Sequence, residues 1–130
     1  MNHVDHCKKC IESCDHCIDT LKECAHECKK NKECKAESNH AMKDCNACIV
    51  ACQTCIKACK EHLETCKDQA CIQSCNACIE ACKKCIEACD TCFKKCAKPG
   101  SECARECEAC IEVCKLCIDA CNICIKQSCC

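Results

Sequence analysis

The spacing of cysteine constrains this chain more than any other feature. From Cys75 the thiols recur at Cys78, Cys82, Cys85, Cys89, Cys92 and Cys96, and from Cys103 at Cys107, Cys110, Cys114, Cys117, Cys121 and Cys124. Steps of three and four residues alternate, a mean period of about 3.5, which is the a/d pattern of helices packed on one another. Shorter runs of the same kind join Cys45, Cys48, Cys52, Cys55 and Cys59, and Cys7, Cys10, Cys14 and Cys17; the latter breaks at Leu21 and resumes at Cys24 and Cys28. A strand would repeat every two residues, and a disulfide-knotted mini-protein would space its cysteines irregularly.

The cysteines must also be the core. The chain has 130 residues, 30 of them Cys, and besides these the apolar set is 14 Ala, 11 Ile, 3 Leu, 3 Val, 2 Met and 1 Phe, with no Trp or Tyr. An ordinary aliphatic interior is excluded; sulfur has to fill most of it. The length fits one domain, residues 1–130. A single Gly and a single Pro exclude collagen-like and turn-rich β architectures. Charges are interleaved and sum to −1, so there is no basic field for nucleic acid, and Phe93 alone provides no stacking platform. No apolar run approaches the ~20 residues that span a bilayer. The start, Met1-Asn2-His3-Val4-Asp5-His6-Cys7, lacks the basic and apolar segments of a secretory signal. The expected location is therefore cytoplasmic, where thiols are kept reduced and a Cys-rich chain binds metal more often than it forms disulfides.

The residues flanking the cysteines specify the packing. The d-position cysteines are nearly always followed by a large apolar residue at e: Ile11, Ile18, Ile49, Ile56, Ile72, Ile79, Ile86, Phe93, Ile111, Ile118 and Ile125. The g positions are often small, as at Ala51, Ala58, Ala81, Ala88 and Ala120. Large on one flank and small on the other lets neighbouring helices nest closely. The remaining positions are mostly Lys, Glu, Asp and Asn, a solvated face. Four helices are expected, over about 3–30, 39–66, 69–97 and 102–127. Asn2, Ser38 or Asn39, Asp68 and Ser101 are the expected caps, and Lys98-Pro99-Gly100-Ser101 the breaker before the last helix. Short connections make sequential helices antiparallel, giving an all-α, up-down-up-down four-helix bundle with a Cys-lined core.

A stripe of thiols along every helix needs a chemical reason, because Leu or Ile at the same positions would bury more apolar area. Disulfides do not supply one: neighbours three or four apart on a helix are poorly aimed at each other, and stapling a hairpin takes few cysteines. Iron–sulfur clusters usually sit in a loop that supplies four cysteines, and these ladders form no such groups. Soft metal ions remain, Cu(I) and zinc foremost. Counting Cys66 and Cys71 with the stripes, about six or seven Zn²⁺ at four ligands each would leave roughly fourteen negative charges inside, a costly burial. Cu(I) takes two or three thiolates, which can bridge, so many Cu(I) per chain bring the interior near neutrality. Zinc, in a metal-detoxification protein of metallothionein type, stays open as the alternative. Near-identical sites repeated along a bundle offer neither an open coordination position nor a differentiated acid, base or nucleophile, so no enzyme activity is expected.

The repeated Cys-x-x-Cys-Ile-x-x-Cys pattern on all four helices, across about 3–127, resembles the copper storage proteins, a family of Cys-lined four-helix bundles. The resemblance implies high-capacity Cu(I) storage in a cytosolic protein, exchange with copper donor and acceptor proteins, a homotetramer, and metal passing through a bundle end. The family's ligands correspond on the first helix to Cys7, Cys10, Cys14, Cys17, Cys24 and Cys28, and on the second to Cys45, Cys48, Cys52, Cys55 and Cys59. On the third they correspond to Cys75, Cys78, Cys82, Cys85, Cys89, Cys92 and Cys96, and on the fourth to Cys103, Cys107, Cys110, Cys114, Cys117, Cys121 and Cys124. The cysteine load looks heavier than the family's usual. Cytosolic members often carry His around the loop joining the third and fourth helices, and this chain has Lys98-Pro99-Gly100-Ser101 there.

Up-down topology gathers His3, His6, His62, Cys66, Cys71, Cys129 and Cys130 at one end, with His3 and His62 occupying d positions. This end is a candidate nitrogen–sulfur mouth for metal. The opposite end, with His26, His40 and Met42 near Cys28 and Cys45, is a second candidate. His16 falls on the solvated face, and Cys34 lies outside the stripes. Leu116 and Ile123 at c positions and Val50 at f are apolar where water is expected, which suggests self-association.

Overall fold

The computed structural model describes residues 2–31, 36–97 and 104–128, with backbone alone at 30–31, 36–40 and 96–97. The chain forms four helices: α1 (His3–Asn31), α2 (Ala36–Leu63), α3 (Gln69–Ala97) and α4 (Ala104–Lys126). Two of the expected caps are in place. Asn2 accepts the Asp5 N–H on Oδ1 at 3.1 Å, and Asp68 accepts the Cys71 N–H on Oδ1 at 2.9 Å. The second helix differs from expectation at both ends. It begins at Ala36, so Ser38 and Asn39 lie inside it; Ala36 and Glu37 are good helix formers and extend it backwards. It ends at Leu63 because the chain must turn before Asp68 can cap α3, and residues 64–68 make that turn. Cys66 therefore leaves the stripe and lies half-buried in the connection. The expected Ser101 cap and the turn at 98–101 lie outside the described residues.

The helices occupy the corners of a square. α1 packs on α2 and α4, and α3 packs on α2 and α4, while α1 faces α3 and α2 faces α4 only across the centre. Each neighbouring pair is antiparallel, as the pairing of low with high residue numbers shows: Cys7 meets Cys55 and Cys14 meets Cys48, while Cys75 meets Cys124 and Cys92 meets Cys107. No helix among the described residues is long and apolar enough to cross a membrane.

The core follows the heptad. Twenty-four of the described cysteines are buried, and Ile18, Ile79 and Ile111 at e are buried beside them. Other e-position residues, among them Ile11, Ile49, Ile56 and Phe93, pack against this cluster from its margin. The sides are tied lightly. Thr20 donates to the Asp44 carboxylate between α1 and α2, and Lys29 pairs with Glu108 at 2.6 Å between α1 and α4. The latter pair is exposed, and such pairs contribute at most about 1 kcal/mol.

Among the described residues, Leu21 is the one large aliphatic side chain that is fully buried. The register that sets Cys17 beside Cys45 puts Leu21 opposite Ala41, also fully buried, one turn further along. Here the two helices contribute carbon where α3 and α4 still contribute sulfur, at Cys92 and Cys107. Val50, Leu116 and Ile123 are more than half exposed. Val50 sits on α2 and the other two on α4, at opposite corners, so they do not form one patch.

Replacing Leu21 with Ala opens a cavity beside a residue too small to fill it. Leu21→Ala should destabilise the reduced, metal-free protein by about 2–5 kcal/mol, whereas Leu116→Ala should stay within about 0.5 kcal/mol. Urea unfolding of the two variants beside the parent chain checks both.

Candidate metal centre

Cysteine is the shortest side chain able to present a soft donor, and the a/d positions aim it at the bundle axis. The sulfurs consequently meet in the centre. Around one level, Cys14 lies 3.5 Å from Cys48, Cys48 lies 3.6 Å from Cys85, and Cys85 lies 3.7 Å from Cys114, one residue from each helix. The next level joins Cys10 to Cys52 at 3.6 Å, Cys82 to Cys117 at 3.7 Å and Cys10 to Cys117 at 3.8 Å. Beyond it, Cys7 meets Cys55 at 3.6 Å, Cys55 meets Cys78 at 3.7 Å and Cys78 meets Cys121 at 3.7 Å. Sulfurs even touch across the diagonal, as in Cys7 with Cys78, Cys10 with Cys82 and Cys14 with Cys85, each at 4.0 Å. The ladder continues through Cys17 with Cys45 and Cys89 with Cys110.

These contacts are between thiols rather than within disulfides. Every described ladder cysteine from Cys7 to Cys24, Cys45 to Cys59, Cys71 to Cys92 and Cys107 to Cys124 carries a free thiol. Cys28 is an exception and a correction to the expected ligand set: it is disulfide-bonded, and a half-cystine is no thiolate donor. Cys66 carries a free thiol at the edge of the core, in the α2–α3 connection, where its Sγ donates to the Asp68 carbonyl at 3.8 Å. The side chains of Cys96 and His40, and all of Cys34, Cys103, Cys129 and Cys130, lie outside the described residues.

Several groups of four sulfurs have all their donors within 4.8 Å of one another: Cys7, Cys55, Cys78 and Cys121; Cys7, Cys59, Cys78 and Cys124; Cys10, Cys82, Cys117 and Cys121; and Cys10, Cys14, Cys52 and Cys117. The groups overlap. Cys7, Cys10, Cys78, Cys117 and Cys121 each belong to two of them. The core is a continuous field of donors in which one sulfur serves neighbouring positions, and it can hold soft metal ions along its length.

So many thiols cannot ionise together in a dry interior. A thiol that donates to a neighbouring thiolate keeps its proton and holds the acceptor ionised. Cys14 and Cys52 are pushed far above the ordinary thiol range, first through their bonds to Cys10. Cys117 acts to raise Cys10, but donation from Cys121, Cys14 and Cys52 wins and brings it down to about 6. Cys48 is held low, chiefly by Cys114 and Cys14. At Cys75 burial is the leading cause and the negative field of Cys124 the next, and both raise the thiol. Metal must therefore displace protons to bind.

One end of the ladder changes chemistry. The His3 and His62 rings stack with centroids 3.9 Å apart, and His62 Nε2 lies 3.2 Å from Cys71 Sγ. His3, His62, Cys71 and Cys75 bring two nitrogens and two sulfurs within 4.8 Å of one another. His3 is 3% exposed, and neither ring nitrogen has a hydrogen-bond partner. Burial first, and then the neighbouring His62, hold its pKa below the ordinary imidazole value, so the ring is neutral near pH 7. The sequence placed both histidines at d positions of this end; the α1–α2 register is what stacks them. His6, grouped with them by the sequence, lines a groove between α1 and α2 with Lys9, Ser13 and Val50. At the opposite end, His26 is exposed and Met42 packs on the edge of the core.

The protonated ladder thiols give a pH dependence of definite sign. An unfolded thiol ionises near ~8.5, while Cys14, Cys52 and Cys75 hold their protons well above that. Above ~8.5 the folded state therefore binds more protons than the unfolded one, and stability falls as pH rises. The urea midpoint of reduced, metal-free protein should drop steadily on the alkaline side of that value; a midpoint unchanged into strongly alkaline solution would contradict it. Compared with known protein families, curated proteins and solved structures, the chain matches none.

Proposed function

We propose that the protein stores Cu(I), many ions per chain, on the thiolates lining its core. The observation that carries this is the sharing of sulfurs between overlapping groups. A single structural zinc site most often takes four ligands, so sharing sulfurs between neighbouring groups favours an ion of lower coordination number without by itself excluding bridged zinc. Overlap suits an ion that takes two or three thiolates and lets each thiolate bridge. Charge argues the same way: one monovalent ion per thiolate leaves the interior near neutral, whereas one divalent ion per four leaves two uncompensated negative charges at every site.

The role is storage and buffering rather than turnover. The ladder repeats one kind of site and differentiates no acid, base or nucleophile along its length. Ions load and leave at a bundle end, and the His3–His62 end and the His26–Met42 end are the two candidates. The resemblance of the cysteine pattern to the copper storage proteins supports the same function, and with it a cytoplasmic protein that exchanges copper with donor and acceptor proteins and assembles as a homotetramer.

Zinc detoxification is the competing function, and stoichiometry separates the two. Anaerobic titration of the reduced protein with Cu(I) against a competing chelator should saturate near one copper per ladder cysteine. Saturation near one metal per four cysteines, with Zn²⁺ held in preference to Cu(I), would favour zinc. Because metal bridges all four helices, loading should also raise the thermal midpoint, increasingly so with each equivalent added.

A further inference from the structure

The end of the ladder that carries nitrogen has a different charge balance from the rest. His3 and His62 contribute neutral imidazoles, and Cys71 and Cys75 contribute one negative charge each when deprotonated. A divalent ion held by these four makes a neutral unit; a monovalent ion leaves one negative charge at a buried position. Two nitrogens and two sulfurs from separate side chains are also an established donor set for tetrahedral zinc. With Zn–S bonds of ~2.3 Å and Zn–N bonds of ~2.0–2.1 Å, tetrahedral edges fall within the 4.8 Å spread of these donors.

We propose that His3, His62, Cys71 and Cys75 form a dedicated site for one zinc-class divalent ion, distinct in metal preference from the thiolate ladder it adjoins. The independent sign of a missing ligand is His3. Its ring is almost fully buried and both nitrogens lack any hydrogen-bond partner, an arrangement that leaves a polar group unsatisfied and destabilises the metal-free fold. A metal ion relieves this, since one nitrogen becomes a ligand. His62 and Cys71 are brought together at 3.2 Å although they come from the two sides of the α2–α3 connection. The Asp68 cap fixes the start of α3 and so fixes Cys71. Cys75 lies 3.7 Å from Cys124 and marks where this site meets the all-sulfur ladder. Binding is balanced as one Zn²⁺ taken up and the two thiol protons released, the imidazoles serving as neutral ligands.

The site goes beyond copper storage and does not depend on it. The test is X-ray absorption at the zinc edge on reduced, full-length protein given one equivalent of Zn²⁺. The expected environment is two nitrogens and two sulfurs, and the doubly substituted His3→Ala/His62→Ala chain should shift to four sulfurs as zinc falls back on the ladder. Four sulfurs in the unsubstituted protein would overturn the proposal without reference to any variant. A second arm loads the protein with Cu(I), adds Zn²⁺ and desalts. One retained zinc per chain, lost in the double variant, supports a separate divalent site; no retained zinc overturns it. Failure of copper storage has its own signature, a ladder that prefers Zn²⁺ at one per four cysteines, and that result leaves the first-equivalent assignment intact.

Discussion

A thiol reaches only one bond beyond Cβ, and everything in this bundle follows from making four such short side chains meet at the axis. Sulfurs from neighbouring helices approach to 3.5–3.9 Å, and those from diagonal helices to 4.0 Å. Such contacts require backbones drawn closer together than Leu or Ile at a and d would permit, and the small residues at g make room for it. Ala51, Ala58, Ala81 and Ala88 supply that room on α2 and α3. The aliphatic residues at e then seal the seams between helices, so the sulfur column is dry although it is polarisable and acidic. Tight packing and metal capacity are therefore one design: the geometry that closes the core also places donors within bonding reach of a shared ion.

Dryness sets the electrostatics. Free thiols tolerate burial as small hydrophobes, and the metal-free protein keeps most of them neutral by sharing protons along the ladder. Cys10 is held ionised by the donors around it, while Cys14 and Cys52 keep their protons for the same reason. The apo core thus holds its protons in the same field of donors that can hold metal ions. A monovalent cation that displaces a proton there would add no charge to the interior, whereas isolated buried thiolates are costly.

Much of this is legible in the sequence, because burial, helix and ligand positions are all written by one period. The alternation of three- and four-residue steps gives the helices, their inward faces and the ladder together. What fails is information the period does not carry. Ser38 and Asn39 look like a helix start, but Ala36 and Glu37 before them extend the helix. Cys66 keeps the step after Cys59 and His62, yet Asp68 must cap the next helix, and the five residues needed to turn take Cys66 out of the stripe. Cys28 keeps the step too, but spacing along one helix says nothing about a disulfide partner. The histidines are the intermediate case. Their d positions mark them as inward-facing, while the stacking of His3 on His62 depends on the register between α1 and α2, which only the fold fixes.

That register gives the bundle a direction. Traced from the His3–His62 end, all four helices contribute sulfur through the levels of Cys7, Cys10, Cys14 and Cys17; at Leu21 and Ala41 two of them change to carbon. An ion moving along shared sulfurs loses half its neighbours at that point, and the remaining pair, Cys92 and Cys107, offers two donors where the levels before it offered four. At that level a soft ion would find two sulfur donors instead of four. Leu21 thereby has two consequences from one side chain. It supplies the largest fully buried aliphatic volume among the described residues, and it interrupts the α1 run of sulfur between Cys17 and Cys24.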